Sequence, residues 1–210
     1  MKWLTCVLAF AFAPACMGQW EMGVLGGYGF PREVDVNSRS GVSGKTGFKH
    51  GAAFGVMAGD DMHNYLGGEV RYLYRMGDMK LKTPGADVQF DAQSHLIHFD
   101  LLFYARPKRE RVRPFIAVGG GARIFQGTGV ESSYQPGSSL VVLTHTRETT
   151  PLASVGAGVK VRATGRISFR VEMRDYISPL PTKLIAPMGG STVGSWMHDI
   201  VPMVGLGVTF

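Results

Sequence analysis

Apolar and polar positions alternate along most of this chain with a period of two. From residue 66 the even positions Leu66, Gly68, Val70, Tyr72, Tyr74 and Met76 are apolar or small, while Glu69, Arg71 and Arg75 share the odd side with Gly67 and Leu73. That period belongs to a β-strand whose two faces meet different surroundings. Segment 20–30 sets Trp20, Met22, Val24, Tyr28 and Phe30 against Glu21 and glycines, and segment 46–59 sets Phe48, Ala52, Phe54 and Val56 against Lys49 and glycines. His95, Ile97, Phe99, Leu101 and Phe103 oppose His98 and Asp100; within 115–125, Ile116, Val118, Ala122 and Ile124 oppose Arg123. Ala153, Val155, Ala157, Val159 and Val161 oppose Lys160 and Arg162, while Ile167, Phe169, Val171 and Met173 oppose Arg170, Glu172 and Arg174. The final strand aligns Val204, Leu206, Val208 and Phe210. An apolar face backed by a charged one is the pattern of a sheet with lipid on one side and a polar lumen on the other.

No segment is long enough for a spanning helix, yet most reach the roughly 9 to 11 residues that a tilted transmembrane strand needs. Backbone groups in hydrocarbon must all pair, so strands cross only as a closed barrel. The predicted fold is all-β: an eight-stranded antiparallel up-and-down transmembrane β-barrel. Connections alternate in length, with short ones at 60–64, 106–113 and 164–166 and long ones at 31–45, 77–90, 126–149 and 178–195. Short periplasmic turns and long external loops are the expected asymmetry.

The N-terminus adds an export signal. Lys2 precedes an apolar run over 4–15 and small residues before Gln19, which predicts a signal peptide over 1–19 and a barrel over 20–210. The rival is a lipoprotein cut before Cys16, but Ala13-Pro14-Ala15 lacks the leucine expected upstream of such a cysteine. Both cysteines, Cys6 and Cys16, fall in the predicted leader, so the mature chain is expected to carry no disulfide, thiolate site or cysteine nucleophile. The formal charge of +6 loses Lys2 and no acid on cleavage, leaving +5. Nucleic acid is nevertheless excluded as a partner, because the chain is exported and its bases alternate along strands.

The segments Pro114-Phe-Ile-Ala-Val-Gly-Gly-Gly and Arg170-Val-Glu-Met-Arg-Asp-Tyr176, with the terminal Phe210, resemble the outer-membrane β-barrel domain of the OmpA-like and OmpX-like type. The resemblance covers essentially the whole mature chain. It departs at one point, since OmpA carries a peptidoglycan-binding domain after its barrel and this chain is expected to be barrel alone. The resemblance implies a location in the bacterial outer membrane, integral, after leader cleavage. It also implies that Val204, Leu206, Val208 and Phe210 form the signal read by the barrel-insertion machinery. Outer-membrane lipid is the implied partner, with lipopolysaccharide a further candidate whose phosphates suit the loop bases Arg32, Arg39, Lys45, Lys80, Lys82, Arg147 and Lys183. The alternative is that these are solvated loop charges.

An eight-stranded barrel is just wide enough for its inward side chains to fill it. Glu69, Arg71, Arg75, Asp100, Arg123, Lys160, Arg170, Glu172 and Arg174, together with Glu21 and Arg162, are therefore expected to pair as a structural lumen network, because an unpaired buried ion costs several kcal/mol. If Ala163 faces Ile167, Lys160 faces Arg170, and Glu172 is the nearest acid to sit between them. A narrow ion-conducting lumen is the alternative.

Several fragments carry no chemistry. Gly44-Lys45-Thr46 lacks the earlier glycine and the helix of a phosphate loop. Gly119-Gly120-Gly121 lies inside a strand and marks a place where bulky neighbours or strong curvature call for no side chain. His95 and His98 point to opposite faces and cannot share a metal, whereas His98 and Asp100 share the lumen face. No cofactor or metal site is predicted. No histidine is followed two residues on by serine, as a lipid A deacylase requires, and only His145 and His198, with Asp199 and loop serines, approximate a palmitoyltransferase mouth. The chain is not expected to be an enzyme. The expected role is structural or surface-interacting and carried by the external loops; the alternatives are a narrow porin-like channel and a lipid A-modifying enzyme. The stretch Leu140-Val-Val-Leu143, with Tyr134, predicts a hairpin above the membrane, and Leu180, Leu184, Ile185, Met188 and Trp196 make the last loop apolar. The sequence names no surface ligand.

Overall fold

The computed structural model describes residues 20–37, 43–83, 86–129, 141–187, 192–193 and 196–210. The predicted leader with Cys6 and Cys16, and loop residues Arg39, Tyr134, Leu140 and Met188, lie outside the described residues. The described strands are β1 (Trp20–Pro31), β2 (Val34–Asn37), β3 (Ser43–Phe48), β4 (Gly51–Asp60), β5 (Leu66–Met76), β6 (Met79–Thr83), β7 (Ala86–Phe90), β8 (Ala92–Tyr104), β9 (Val112–Gly127), β10 (Val141–Leu143), β11 (Arg147–Arg162), β12 (Ile167–Pro179), β13 (Ile185–Pro187), β14 (Thr192–Val193) and β15 (Trp196–Thr209).

Eight of these close on themselves in the order β1-β15-β12-β11-β9-β8-β5-β4, every neighbour antiparallel. Each barrel strand pairs with the next barrel strand in the chain, and β15 returns to β1. The register fixes the tilt. A walk at right angles to the strands runs from Phe30 to Ile200, Asp175, Val155, Val118, Leu101, Gly68 and Asp60, and comes back to β1 at Trp20, ten residues from where it began. With about 3.3 Å per residue and about 4.8 Å between strands, that stagger tilts the strands by about 40°.

The alternation read from the sequence is the alternation of the barrel wall. Val24, Phe54, Val70, Phe99, Ile116, Val171 and Val204 are exposed on the outside, and Leu73, Leu96, Ala117, Arg71 and Glu172 are buried inside. Segment 46–59 departs from the prediction. It is two elements, β3 and β4, broken at Lys49 and His50, where the Lys49 N–H donates to the Asp78 carbonyl at 2.7 Å. Phe48 consequently does not face outward: it is 4% exposed and its ring stacks on Phe125 at 5.2 Å.

At the end of the barrel bearing the long connections, the chain forms further sheets. A five-stranded sheet runs β14-β2-β3-β6-β7, and β10 pairs with β13. Of the hairpin predicted in the third loop, Val141–Leu143 pairs with another loop through β13, β9 and β11 continue their pairing as far as Gln126 and Arg147, and residues 130–140 lie outside the described residues. Val36, Phe48, Met79, Leu81, Leu180, Leu184 and Ile185 pack with Phe90, Ala92, Phe125 and Met197 in one buried cluster. Ala92, Phe125 and Met197 lie on the same face of β8, β9 and β15 as the lumen residues Ser94, Arg123 and Asp199, so this core is continuous with the barrel interior. The apolar residues of these loops pack against one another as a cap over one mouth. Trp196 stays outside the cap, 58% exposed on β15.

Candidate functional site

The inward side chains stack in three tiers. In the middle tier, Arg71 of β5 bridges two acids: its Nε donates to Glu69 Oε1 at 2.6 Å, and its guanidinium forks onto both oxygens of Glu172 of β12, the Nη2 arm at 2.8 Å. Arg170 reaches Glu69 Oε2 at 2.6 Å, and Arg174 reaches Glu69 at 2.9 Å, Asp100 at 3.2 Å and Glu172 at 3.4 Å. Three carboxylates thus meet three guanidinium groups, all of them buried. His98 Nδ1 lies 3.0 Å from Asp100 Oδ2, and the His98 ring meets Tyr176 edge-on at 5.2 Å. The glycine run in β9 makes this possible. A Cβ at Gly119 would strike the Asp100 carboxylate, and one at Gly121 would strike the backbone of Ile97 and His98.

The tier under the cap centres on Asp199, held by Arg123 at 2.9 Å and Arg75 at 3.3 Å. Arg123 also donates to Ser94 Oγ at 3.2 Å, and its guanidinium lies 4.7 Å from the Phe125 ring centroid, joining the charged lumen to the apolar cap. The tier at the short-turn end holds Glu21 between Lys160 and Ser168, beside an Arg113–Asp61 pair at 2.5 Å. Arg113 covers the Tyr104 ring at 3.6 Å. A cavity of about 10 Å³ touches Glu69 and Arg170, on the scale of a single water molecule, and one of about 50 Å³ lies at the turn end beside Glu21, Lys160 and Arg162.

No protein-family model matches the sequence, and no curated protein sequence matches it. The likeness lies in structure. The crystal structure of Neisserial surface protein A aligns over 90% of this chain and 97% of its own, at 15% identity and a TM-score of 0.54. The outer-membrane protein OprG from Pseudomonas aeruginosa aligns over 92% of this chain and 97% of its own, at 13% identity and a TM-score of 0.56. The fold is that of the eight-stranded outer-membrane barrels.

Within this barrel, the sequence-predicted lumen residues Glu69, Arg71, Arg75, Asp100, Arg123, Lys160, Arg170, Glu172 and Arg174 all lie on the inside. One expected contact is absent. Lys160 does face Arg170 in the register, but its partner is Glu21 across the barrel, and Glu172 instead serves Arg71 and Arg174. Val204, Leu206, Val208 and Phe210 lie outward, and the Phe210 N–H donates to the Trp20 carbonyl at 2.8 Å. His198 and Asp199, grouped in the sequence as one mouth cluster, sit on opposite faces. Asp199 belongs to the lumen, while His198 pairs outside with Asp175 at 2.8 Å. His145 Nδ1 lies 2.9 Å from the Gly129 carbonyl oxygen. Asp199, Arg113 and Tyr176 were not foreseen as lumen residues. Running the β15 alternation back past Val201 to Trp196 would have turned Asp199 inward. Among the described residues, no group of three or more His, Cys, Asp and Glu side chains is placed to hold a metal.

Proposed function

We propose that this chain is an integral protein of the bacterial outer membrane whose barrel serves as a closed anchor and whose cap is its working surface. Residues 1–19 act as the export signal, and Val204, Leu206, Val208 and Phe210 are the outward face offered to the insertion machinery. The cap lies outside the cell and the short turns lie in the periplasm, following the usual asymmetry of loop lengths. Lipid surrounds the apolar belt. A surface partner or lipopolysaccharide phosphate meets the loop bases, of which Lys45, Lys80 and Lys82 stand together on the cap sheet.

The observation that carries this reading is the filled lumen under its apolar lid. Buried ion-paired side chains fill the middle of the lumen, and the core around Phe48, Phe125 and Leu184 covers one mouth. Such a barrel is a poor conduit. Catalysis is also poorly served by the outward His198–Asp175 pair, because its register neighbours Val155, Ile177 and Ile200 carry no nucleophile. The test uses refolded protein in planar bilayers and a lipid A modification assay in parallel. The expected result is no single-channel conductance and no altered lipid A. Steady conductance steps abolished by Asp199→Ala would overturn the closed-anchor reading.

A further inference from the structure

The bases of the short-turn end are gathered on one half of its rim. The turn between β8 and β9 carries Arg106, Lys108, Arg109 and Arg111, and the turn between β11 and β12 is flanked by Arg162 and Arg166. β8, β9, β11 and β12 are consecutive in the barrel, so both turns lie over the same side of it. Hydrogen bonds tie them into a single platform. Arg162 Nη2 donates to the Lys108 carbonyl at 2.7 Å, the Arg162 N–H donates to the Arg111 carbonyl at 2.8 Å, and Arg111 Nε donates back to the Arg162 carbonyl at 3.1 Å. Lys108 Nζ reaches the Asp61 carbonyl of the next turn at 3.2 Å. Each of these bonds ends on a backbone oxygen, which fixes the turns without neutralising a charge.

Carboxylates are scarce on this platform. Among the described residues, none of these six bases forms an ion pair. Glu110 is the only acid in segments 105–111 and 162–166, and nearby Asp61 is taken by Arg113. On the cap, by contrast, Lys80 pairs with Glu33, Lys49 pairs with Asp78, and Lys45 stands opposite Asp35. The height of the platform decides what can meet it. Val112, Val161 and Ile167 are the last outward positions of β9, β11 and β12, and Arg111, Arg162 and Arg166 are the next residues along the chain. One residue rises about 2.5 Å along the axis of a barrel so tilted, while the headgroup layer beyond the hydrocarbon is roughly 5 to 7 Å deep. The bases therefore stand at the level of lipid phosphates, directly beyond the apolar face formed by Phe103, Ile116, Val112 and Ile167.

We propose that this platform is a docking surface for anionic phospholipid, whose headgroup phosphates lie against the bases while its acyl chains lie along the apolar face beside them. A guanidinium forks onto two phosphate oxygens, and a cluster of about four to eight bases at a membrane edge recruits anionic lipid. The site rests on the proposed outer-membrane placement and lies at the opposite end of the barrel from the cap lysines. It gives the short-turn end a lipid preference of its own, where the sequence reading placed anion binding in the long loops.

The test refolds the full barrel into phosphatidylcholine bilayers and reads the electron spin resonance of trace spin-labelled phosphatidylglycerol or phosphatidylcholine, which reports how strongly each associates with the protein surface. Phosphatidylglycerol should associate about twofold or more better than phosphatidylcholine, and the preference should fade in roughly 1 M salt, where the screening length is about 3 Å. The R106Q/R109Q/R166Q variant removes three exposed side chains that make no hydrogen bond or ion pair among the described residues, so the turns keep their scaffold. It should lose most of the preference, while K45Q/K82Q on the cap should keep it. Should the triple variant fail to insert, the three single variants carry the comparison, each losing part. No preference in the parent, a preference retained by the turn variants, or one lost only in the cap variant would overturn the proposal. So would salt-sensitive co-sedimentation with isolated peptidoglycan in place of a lipid preference, which would give the platform to the wall polymer. Failure of the parent to insert into bilayers at all would overturn the outer-membrane placement and this site with it.

Discussion

Replacing Glu172 by glutamine removes one negative charge from the middle tier without changing its volume. The parent tier is balanced, with Glu69, Asp100 and Glu172 facing Arg71, Arg170 and Arg174. Glutamine leaves one base uncompensated. Its amide NH2 also points a donor at one arm of the Arg71 fork, where the carboxylate now accepts. Breaking one member of a buried ion pair costs about 3 to 5 kcal/mol, and here neither side chain reaches solvent. The assay is urea unfolding in detergent micelles, followed by tryptophan fluorescence and band shift, with circular dichroism to verify that strand content is intact. Glu172→Gln should lower the midpoint by an amount equivalent to several kcal/mol. The double variant Glu172→Leu with Arg71→Leu leaves two acids facing two bases and should recover most of the loss, since apolar replacement of a whole buried pair is often close to neutral. A single variant that unfolds together with the parent would refute the account of a dry, charge-balanced lumen.

Three further outcomes follow from the same geometry. In intact cells, external protease should cut near Arg147 at the cap and spare Arg109 in the turn between β8 and β9; the opposite pattern would invert the orientation. Leu206→Lys places a charge on the outer face of β15, where Leu206 is 47% exposed, and should cost about 2 to 4 kcal/mol at the bilayer midplane. Removing Phe210 should reduce the yield of heat-modifiable barrel, and full assembly of both variants would remove the basis for treating this face as an insertion signal. On the cap, the Lys80 ammonium 2.6 Å from Glu33 holds that carboxyl below its ordinary value. A depressed carboxyl stabilises above its unfolded pKa and loses that contribution as pH falls through its folded one. Glu33→Gln should therefore cost up to about 1 kcal/mol at pH 7 and nothing in strong acid, read as a narrowing gap between the two melting curves.

The barrel wall was legible in the sequence because lipid and lumen impose opposite chemistry on alternate residues. Val70 and Arg71 are neighbours in the chain and could not exchange places. The cap was not legible, since its strands draw on four separate connections and their partners are set by tertiary register. Phe48 shows the difficulty: its parity continues that of Phe54, and only the break at Lys49 and His50 sends it into a different core. Among lumen contacts, strand parity told which residues point inward but not which partner each finds across the barrel. Lys160 with Glu21 spans most of the chain and joins strands that are not neighbours. Asp199 shares the parity of Val201 and Met203, and that alternation, continued through Pro202, is the signal that turns it inward.

The seam between β1 and β15 bears on how the chain comes to be folded. Trp20 and Phe210 are bonded to each other, so the first barrel strand of the chain waits for the last one before its second edge is satisfied. Any intermediate lacking β15 has two raw edges, on β1 and on β12, and hydrocarbon offers no water to quench them. Such an intermediate can neither rest in the bilayer nor be left exposed in the periplasm without inviting edge-to-edge pairing. On the proposed outer-membrane placement, this strand order calls for escort through the periplasm and a concerted entry into the membrane, and a delay at the seam should show as aggregation rather than as a half-built barrel.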